Sequence, residues 1–214
     1  TIPKIKGFTY FAGINIFNSE VNLKNVTFIN SQSEDTLNLI ESESIISNIK
    51  FIDSKSDALD IDGGSSNINN LYCRNIGNDC LDFSNTLIVA ENIFAENIFD
   101  KSISIGENSK VKIKNIKINN SEIGLAVKDN SDVELISVDI QNSKLPIAVF
   151  VKKNEYGPAK LIIKNFNIKN SNENYLVDDR SQLIIDGKIY TGTEPGKVIE
   201  SYLYGNIYGK ATTR

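Results

Sequence analysis

One short phrase returns about every 22 residues along this chain, and a fixed period of that size is the mark of a solenoid. Asn25-Val26-Thr27-Phe28 comes back as Asn48-Ile49-Lys50-Phe51, and again around Asn70-Leu71-Tyr72-Cys73, Asn92-Ile93-Phe94-Ala95 and Asn115-Ile116-Lys117-Ile118. The last clear copies surround Ser137-Val138-Asp139-Ile140 and Asn165-Phe166-Asn167-Ile168. The anchors at 25, 48, 70, 92, 115, 137 and 165 are separated by 23, 22, 22, 23, 22 and 28 residues.

Inside each repeat apolar and polar residues alternate, the period of a strand and not of a helix. Asn, Asp, Ser and Gly separate the runs and supply the bends. Every repeat offers the same inward row, so successive copies must lie side by side and run the same way. The expected fold is all-β, a right-handed parallel β-helix of about eight coils, each advancing the axis by roughly 4.8 Å. Four inward columns follow: Val26 to Phe166, Phe28 to Ile168, Leu37 to Ile147 and Leu39 to Val149, each taking one residue per coil. The Asn25, Asn48, Asn70, Asn92, Asn115 column is expected to be a stacked amide ladder at a bend.

The 214 residues are expected to form a single β-helix domain. Residues 1–18, with Phe8, Tyr10 and Phe11, read as an N-terminal cap or first coil, 19–186 as regular coils, and 187–214 as a C-terminal cap or extension. The insertion 152–158 explains the 28-residue spacing as a loop leaving one coil. A net charge of −4 and no basic stripe argue against nucleic acid as a partner. No run is long enough to span a membrane. With no Met and no signal segment, the chain reads as a mature or excised part of a longer one, extracellular or at the cell surface. His is absent, which removes the commonest general base and zinc ligand. Cys73 belongs to an inward column and Cys80 to a position expected to face outward; a disulfide and two separate thiols are both open.

Chemistry concentrates at the start of one strand column. Four coils read Ser56-Asp57-Ala58-Leu59-Asp60-Ile61-Asp62, Gly77-Asn78-Asp79-Cys80-Leu81-Asp82-Phe83, Asp100-Lys101-Ser102-Ile103-Ser104-Ile105-Gly106 and Ile123-Gly124-Leu125-Ala126-Val127-Lys128, with Asp35 in the coil before. Asp57 and Asp79 should be neighbours, as should Asp60 and Asp82, the latter pair facing solvent. Stacked carboxylates repel and persist only where a cation, a shared proton or bend hydrogen bonds offset the repulsion.

This order resembles the polygalacturonase-type glycoside hydrolases, which carry Asn-Thr-Asp, Asp-Asp, Gly-His-Gly and Arg-x-Lys motifs on successive coils of a parallel β-helix of the pectate-lyase-like kind. The resemblance puts Asp57 at the Asp of the first motif, Asn78 and Asp79 at the pair, Lys101 at the His, and Ala126 and Lys128 at the Arg and Lys. An amide thus replaces one carboxylate, and the His and Arg are gone. The strings at 56–60, 77–84, 100–107 and 152–159 also resemble β-helix domains of bacterial surface proteins that carry CotH-kinase-like modules. That resemblance spans roughly residues 34–160 and implies a secreted scaffold with no established reaction.

The candidate catalytic residues are therefore Asp57, Asp79, Lys101 and Lys128. Asp57 and Asp79 would be the acid and base of a hydrolase, or Lys101 the base of a polysaccharide lyase. Asp60, Asp82 and Asn78 are candidates for binding ligand hydroxyls. Asp57, Asp79, Asp60 and Asp82 are the set that could hold calcium, although no cofactor is required. The plainer alternative for Asp57 and Asp79 is a ladder capping backbone N–H groups at a bend, and for Lys101 and Lys128 a solvated charge balancing the stripe. Tyr10, Tyr156, Tyr202, Tyr204 and Tyr208 could stack on sugars or pack the caps. The missing His and Arg favour a non-catalytic module of a larger surface protein, binding or presenting to polysaccharide. A lyase or hydrolase along the Asp57–Lys128 face, and a self-associating subunit of a fibre or array, are the alternatives.

Overall fold

In the computed structural model, residues 12–171 and 175–208 are described, together with the backbone of an antiparallel pair, Lys4–Ile5 and Phe8–Thr9. The side chains of Phe8, Tyr10 and Phe11, expected in the N-terminal cap, lie outside the described residues.

The chain winds as a parallel β-solenoid of about eight turns. Long strands, Asp35–Ser54, Asp57–Ile76, Leu87–Gly106, Lys110–Lys128 and Asp132–Phe150, each bend around most of one coil and pair in parallel with the coil on either side. The register is the one that the repeats predict: Ile49 pairs with Leu71, Ile93, Ile116, Val138 and Phe166 in turn. All four expected columns line the interior; the middle coils bury them fully, and Val26, Phe28 and Phe166 near the ends are partly open.

The bends have a stereochemical cause. Asn25, Asn48 and Asn70 sit at positive φ (58°, 53° and 57°) at one corner, and Asn30, Asp53, Asn75, Asn97, Asn120, Asn142 and Asn170 do so at another. Asn tolerates this left-handed conformation better than most residues. At the first corner the expected ladder is present: the Nδ2 of Asn48, Asn70, Asn92 and Asn115 each donates to Oδ1 of the Asn one coil earlier, at 2.9–3.0 Å. A second ladder runs from Asp53 through Asn75 and Asn97 to Asn120 at 2.7–2.9 Å.

Residues 14–17 already form a rung, paired in parallel with Leu37–Ile40. At the far end Lys188–Tyr190 folds back antiparallel on Gln182–Ile185 through a turn with Asp186 and Gly187 both at positive φ (49° and 80°), which stops the parallel stack. Residues 151–159 leave the coil as a loop, as the spacing predicts. The helix Gly196–Leu203 follows and returns to the side of the solenoid.

One expectation about a side chain is overturned. Cys80 does not face outward; it is fully buried and bonded to Cys73. Alternation fails at a corner, where two successive residues can both point inward. Cys80 and Leu81 are both fully buried, as are Ala58 and Leu59 one coil earlier.

Candidate functional site

The sequence-predicted face is the sheet formed by segments 35–40, 57–62, 79–84, 101–106, 123–128 and 145–150. Parallel pairing places Asp35 beside Asp57, and Asn38, Asp60, Asp82, Ser104 and Ala126 in one outward column. Asp62 lies two residues beyond Asp60 and so shares its side of the strand. The period-two alternation was the signal that could have added Asp62 to the candidates, and Asn38 follows from the column of Asp60. Asn38 Nδ2 reaches both Asp60 Oδ2 and Asp62 Oδ2 at 3.4 Å.

Asp57 and Asp79 are spent on the backbone. Asp57 Oδ1 accepts the N–H of Asp79 at 2.8 Å, and Asp79 Oδ1 accepts the N–H of Lys101 at 2.9 Å. Asp129 and Asp178 do the same further along: Asp129 Oδ1 takes the N–H groups of Lys152 and Lys153, both at 2.7 Å, and Asp178 takes those of Val151, Arg180 and Ser181. A carboxylate that caps the entry of the neighbouring coil is a recurrent bend device here.

Lys101 and Lys128 are not solvated. They are 2 % and 8 % exposed. Lys101 Nζ lies 2.7 Å from Asp100 Oδ2 and 3.4 Å from Asp79 Oδ1, and Lys128 Nζ donates to Ser104 Oγ at 2.8 Å. The cover comes from the C-terminus. Ile199, Leu203 and Tyr208 pack on Ile123, Ala126, Leu145, Ala148 and Phe150, the outward residues of the last coils of this face. Gly196 makes the approach feasible, because a Cβ there would meet Val151 O at 2.1 Å. The Tyr204 ring then lies 4.9 Å from Lys101 Nζ and 4.2 Å from Lys152 Nζ, a cation–π arrangement. Tyr202 and Tyr208 take the packing role expected of a cap. Nothing local in the sequence marks where this helix docks.

The electrostatics divide the face. Burial pushes the carboxyls up, with the neighbouring negative charges adding to it: Asp35 to about 6, Asp57 to about 7 and Asp60 to about 9. Burial and Asp82 raise Asp62 as well. For Lys101 burial works against the charge, but Asp79, Tyr204 and Asp100 outweigh it and hold the ammonium above its usual range. Tyr204 and Asp82 likewise outweigh the burial of Lys128. The upstream half is therefore a row of carboxyls that hold their protons to higher pH than usual, Asp60 past neutrality, and the downstream half a sealed pair of cations.

The candidate calcium set, Asp57, Asp60, Asp79 and Asp82, is brought to one face, yet among the described residues no group of three or more acidic side chains is arranged to hold a metal ion. The cause is visible in the caps, since Oδ1 of Asp57 and of Asp79 already faces backbone donors. Asn78 is half-buried beside Asp57, where its side chain works against burial and lowers the pKa of that carboxyl. Asp60 and Asp82 are half-open to solvent and remain the accessible members of the row. Among the described residues no helix is long and apolar enough to cross a membrane. In comparisons with models of protein families, with curated proteins and with solved structures, nothing matches this chain.

Proposed function

We propose that the chain is a non-catalytic β-helix module of a larger extracellular protein, and that it binds polysaccharide through the flat faces of its coils. The observation that carries this reading is the commitment of the would-be catalytic groups. Asp57 and Asp79 bond to backbone N–H groups, and Lys101 is an ion-paired ammonium whose raised pKa leaves no free amine near neutral pH. A lyase base must be deprotonated when it takes its proton, and a substrate must reach the acid and base, whereas the helix Gly196–Leu203 lies over the downstream half. The buried disulfide Cys73–Cys80 suits an oxidising compartment outside the cell.

One observation favours the enzymatic alternative. Asp60 keeps its proton to about pH 9 at a half-open position beside Asp82, as a general acid would. Electrophoresis in native gels cast with single soluble polysaccharides tests the binding claim. The protein should be retarded by at least one polysaccharide, which stays intact; mobility unchanged in all of them would refute it.

A further inference from the structure

The solenoid has another flat face, away from the acidic row, on the sheet whose rungs begin with Glu20–Lys24 and end with Gln182–Ile185. Its rungs pair in parallel and in register, coil after coil, and alternation turns every second residue outward. Ile45, Leu87, Val89 and Ile136 stand on it 41–55 % exposed, so aliphatic surface is spread over its middle. Charge is divided along the axis. Glu20, Glu43 and Glu91 lie on upstream rungs, and Lys110, Lys112, Lys114, Lys160 and Lys164 on downstream ones. Lys24, Asp132 and Glu134 run against this division, but Glu134 is already held by Lys112 and Lys164 at 3.6 and 2.6 Å.

We propose that this face is a dimer interface whose partner is a second copy of the chain, packed antiparallel about a two-fold axis that crosses the face between the rungs at 87–91 and 110–114. An axis in the plane of contact and along the strands sets each upstream rung against a downstream rung of the partner, and keeps each column opposite itself. Counting rungs outward in the observed register, Glu43 faces the partner's Lys160, Ile45 the partner's Ile162, and Glu91 the partner's Lys114. Each contact occurs twice, as an isologous interface requires. Leu87 and Val89 lie beside the axis, against the aliphatic stems of the partner's Lys110 and Lys112. Asp132 and Glu134 meet the partner's Ser65 and Asn67, which can donate to them. Other placements bring like charges together, which opposes association. On the 87–91 rung the axis would set Glu91 against itself and Glu43 against Asp132. On the 110–114 rung it would set three lysines against themselves, and along the rod it would set Lys110 against Lys114 and Lys160 against Lys164. Seven strand spacings by the width of one rung give roughly 34 by 15 Å, so the pair buries on the order of 1,000 Å² in total, the lower end for a specific interface. The neighbouring face, with the column Tyr72, Phe94, Lys117, Asp139 and Asn167, stays outside this contact, so the dimer does not depend on the polysaccharide reading.

Sedimentation velocity over roughly 1–500 μM, a range set by the micromolar affinity expected of so small a contact, provides the test. The wild-type chain should pass reversibly from monomer to dimer and no further. Glu43→Lys and Lys160→Glu should each weaken the dimer roughly tenfold or more, because each sets like charges together twice. An equimolar mixture of these two variants puts opposite charges back at both contacts, and should recover dimer to within about threefold of wild type. Lys50→Glu, exposed on the neighbouring face, should leave dimerisation unchanged. Circular dichroism establishes that each variant is folded. A wild-type chain that stays monomeric throughout, a dimer that Glu43→Lys and Lys160→Glu leave intact, a mixture that fails to recover it, or growth beyond dimers overturns the proposal.

Discussion

Asp79 uses a single oxygen twice. Its Oδ1 takes both the backbone N–H and the ammonium of Lys101, at 2.9 and 3.4 Å, in a place that is 3 % exposed. Truncating it leaves a buried ammonium with one carboxylate fewer and a backbone donor with no acceptor, so Asp79→Ala should cost about 3–5 kcal/mol in urea unfolding. Asp79→Asn keeps an acceptor oxygen and should cost clearly less; equal losses would contradict the capping role. The carboxyls upstream make a second claim. Asp35, Asp57 and Asp60 release their protons at about 6, 7 and 9 in the folded chain, against about 3.9 when unfolded. The folded state therefore binds more protons between these values, and stability from this row is complete below about pH 4 and lost as the pH rises through 6 to 9. The urea midpoint should fall from pH 5 to pH 9, and Asp60→Asn should flatten the upper part of that fall. A midpoint that rises over this window would show that the row is ionised and paired in some other way.

The sheets were legible because their signal is repetitive. Leu37, Leu59, Leu81, Ile103, Leu125 and Ile147 occupy one face at each return, and parallel pairing then follows from identical rows. The same logic brought Asp57, Asp60, Asp79 and Asp82 to one face. It left two roles open for Asp57 and Asp79, chemistry and the capping of backbone N–H groups at a bend, because alternation says which way a strand residue points and fails where the chain turns; the hydrogen bonds to the next coil show the capping. Cys80 was misplaced for that reason. Its bond to Cys73 closes a short loop across the corner that carries Asn78 and Asp79. By loop entropy alone, replacing both cysteines with Ala should lower stability by about 2.5 kcal/mol, measured by thermal unfolding of the oxidised protein against the double variant. An equal midpoint would mean that the ladder hydrogen bonds hold this corner unaided. The helix Gly196–Leu203 was out of reach for a different reason. It docks through contacts far apart in sequence, and one such contact seals Lys101 and Lys128, which sequence alone casts as exposed.

As a whole the molecule is a stiff rod in which each coil rests on its neighbours, so its outward columns are continuous rulers of side chains at strand spacing. One ruler is acidic and half closed by the chain's own C-terminal helix; another, from Tyr72 to Asn167, is open. A rod with fixed, open columns suits holding a long polymer better than cutting it, and the central claim is that this chain holds without cutting. The most direct measurement follows new reducing ends and unsaturated-uronate absorbance together, over neutral and acidic polysaccharides, with calcium and with chelator. The account predicts neither signal from folded protein on any substrate. Product that Asp57→Asn or Asp60→Asn abolishes would contradict it and make the acidic row an active site.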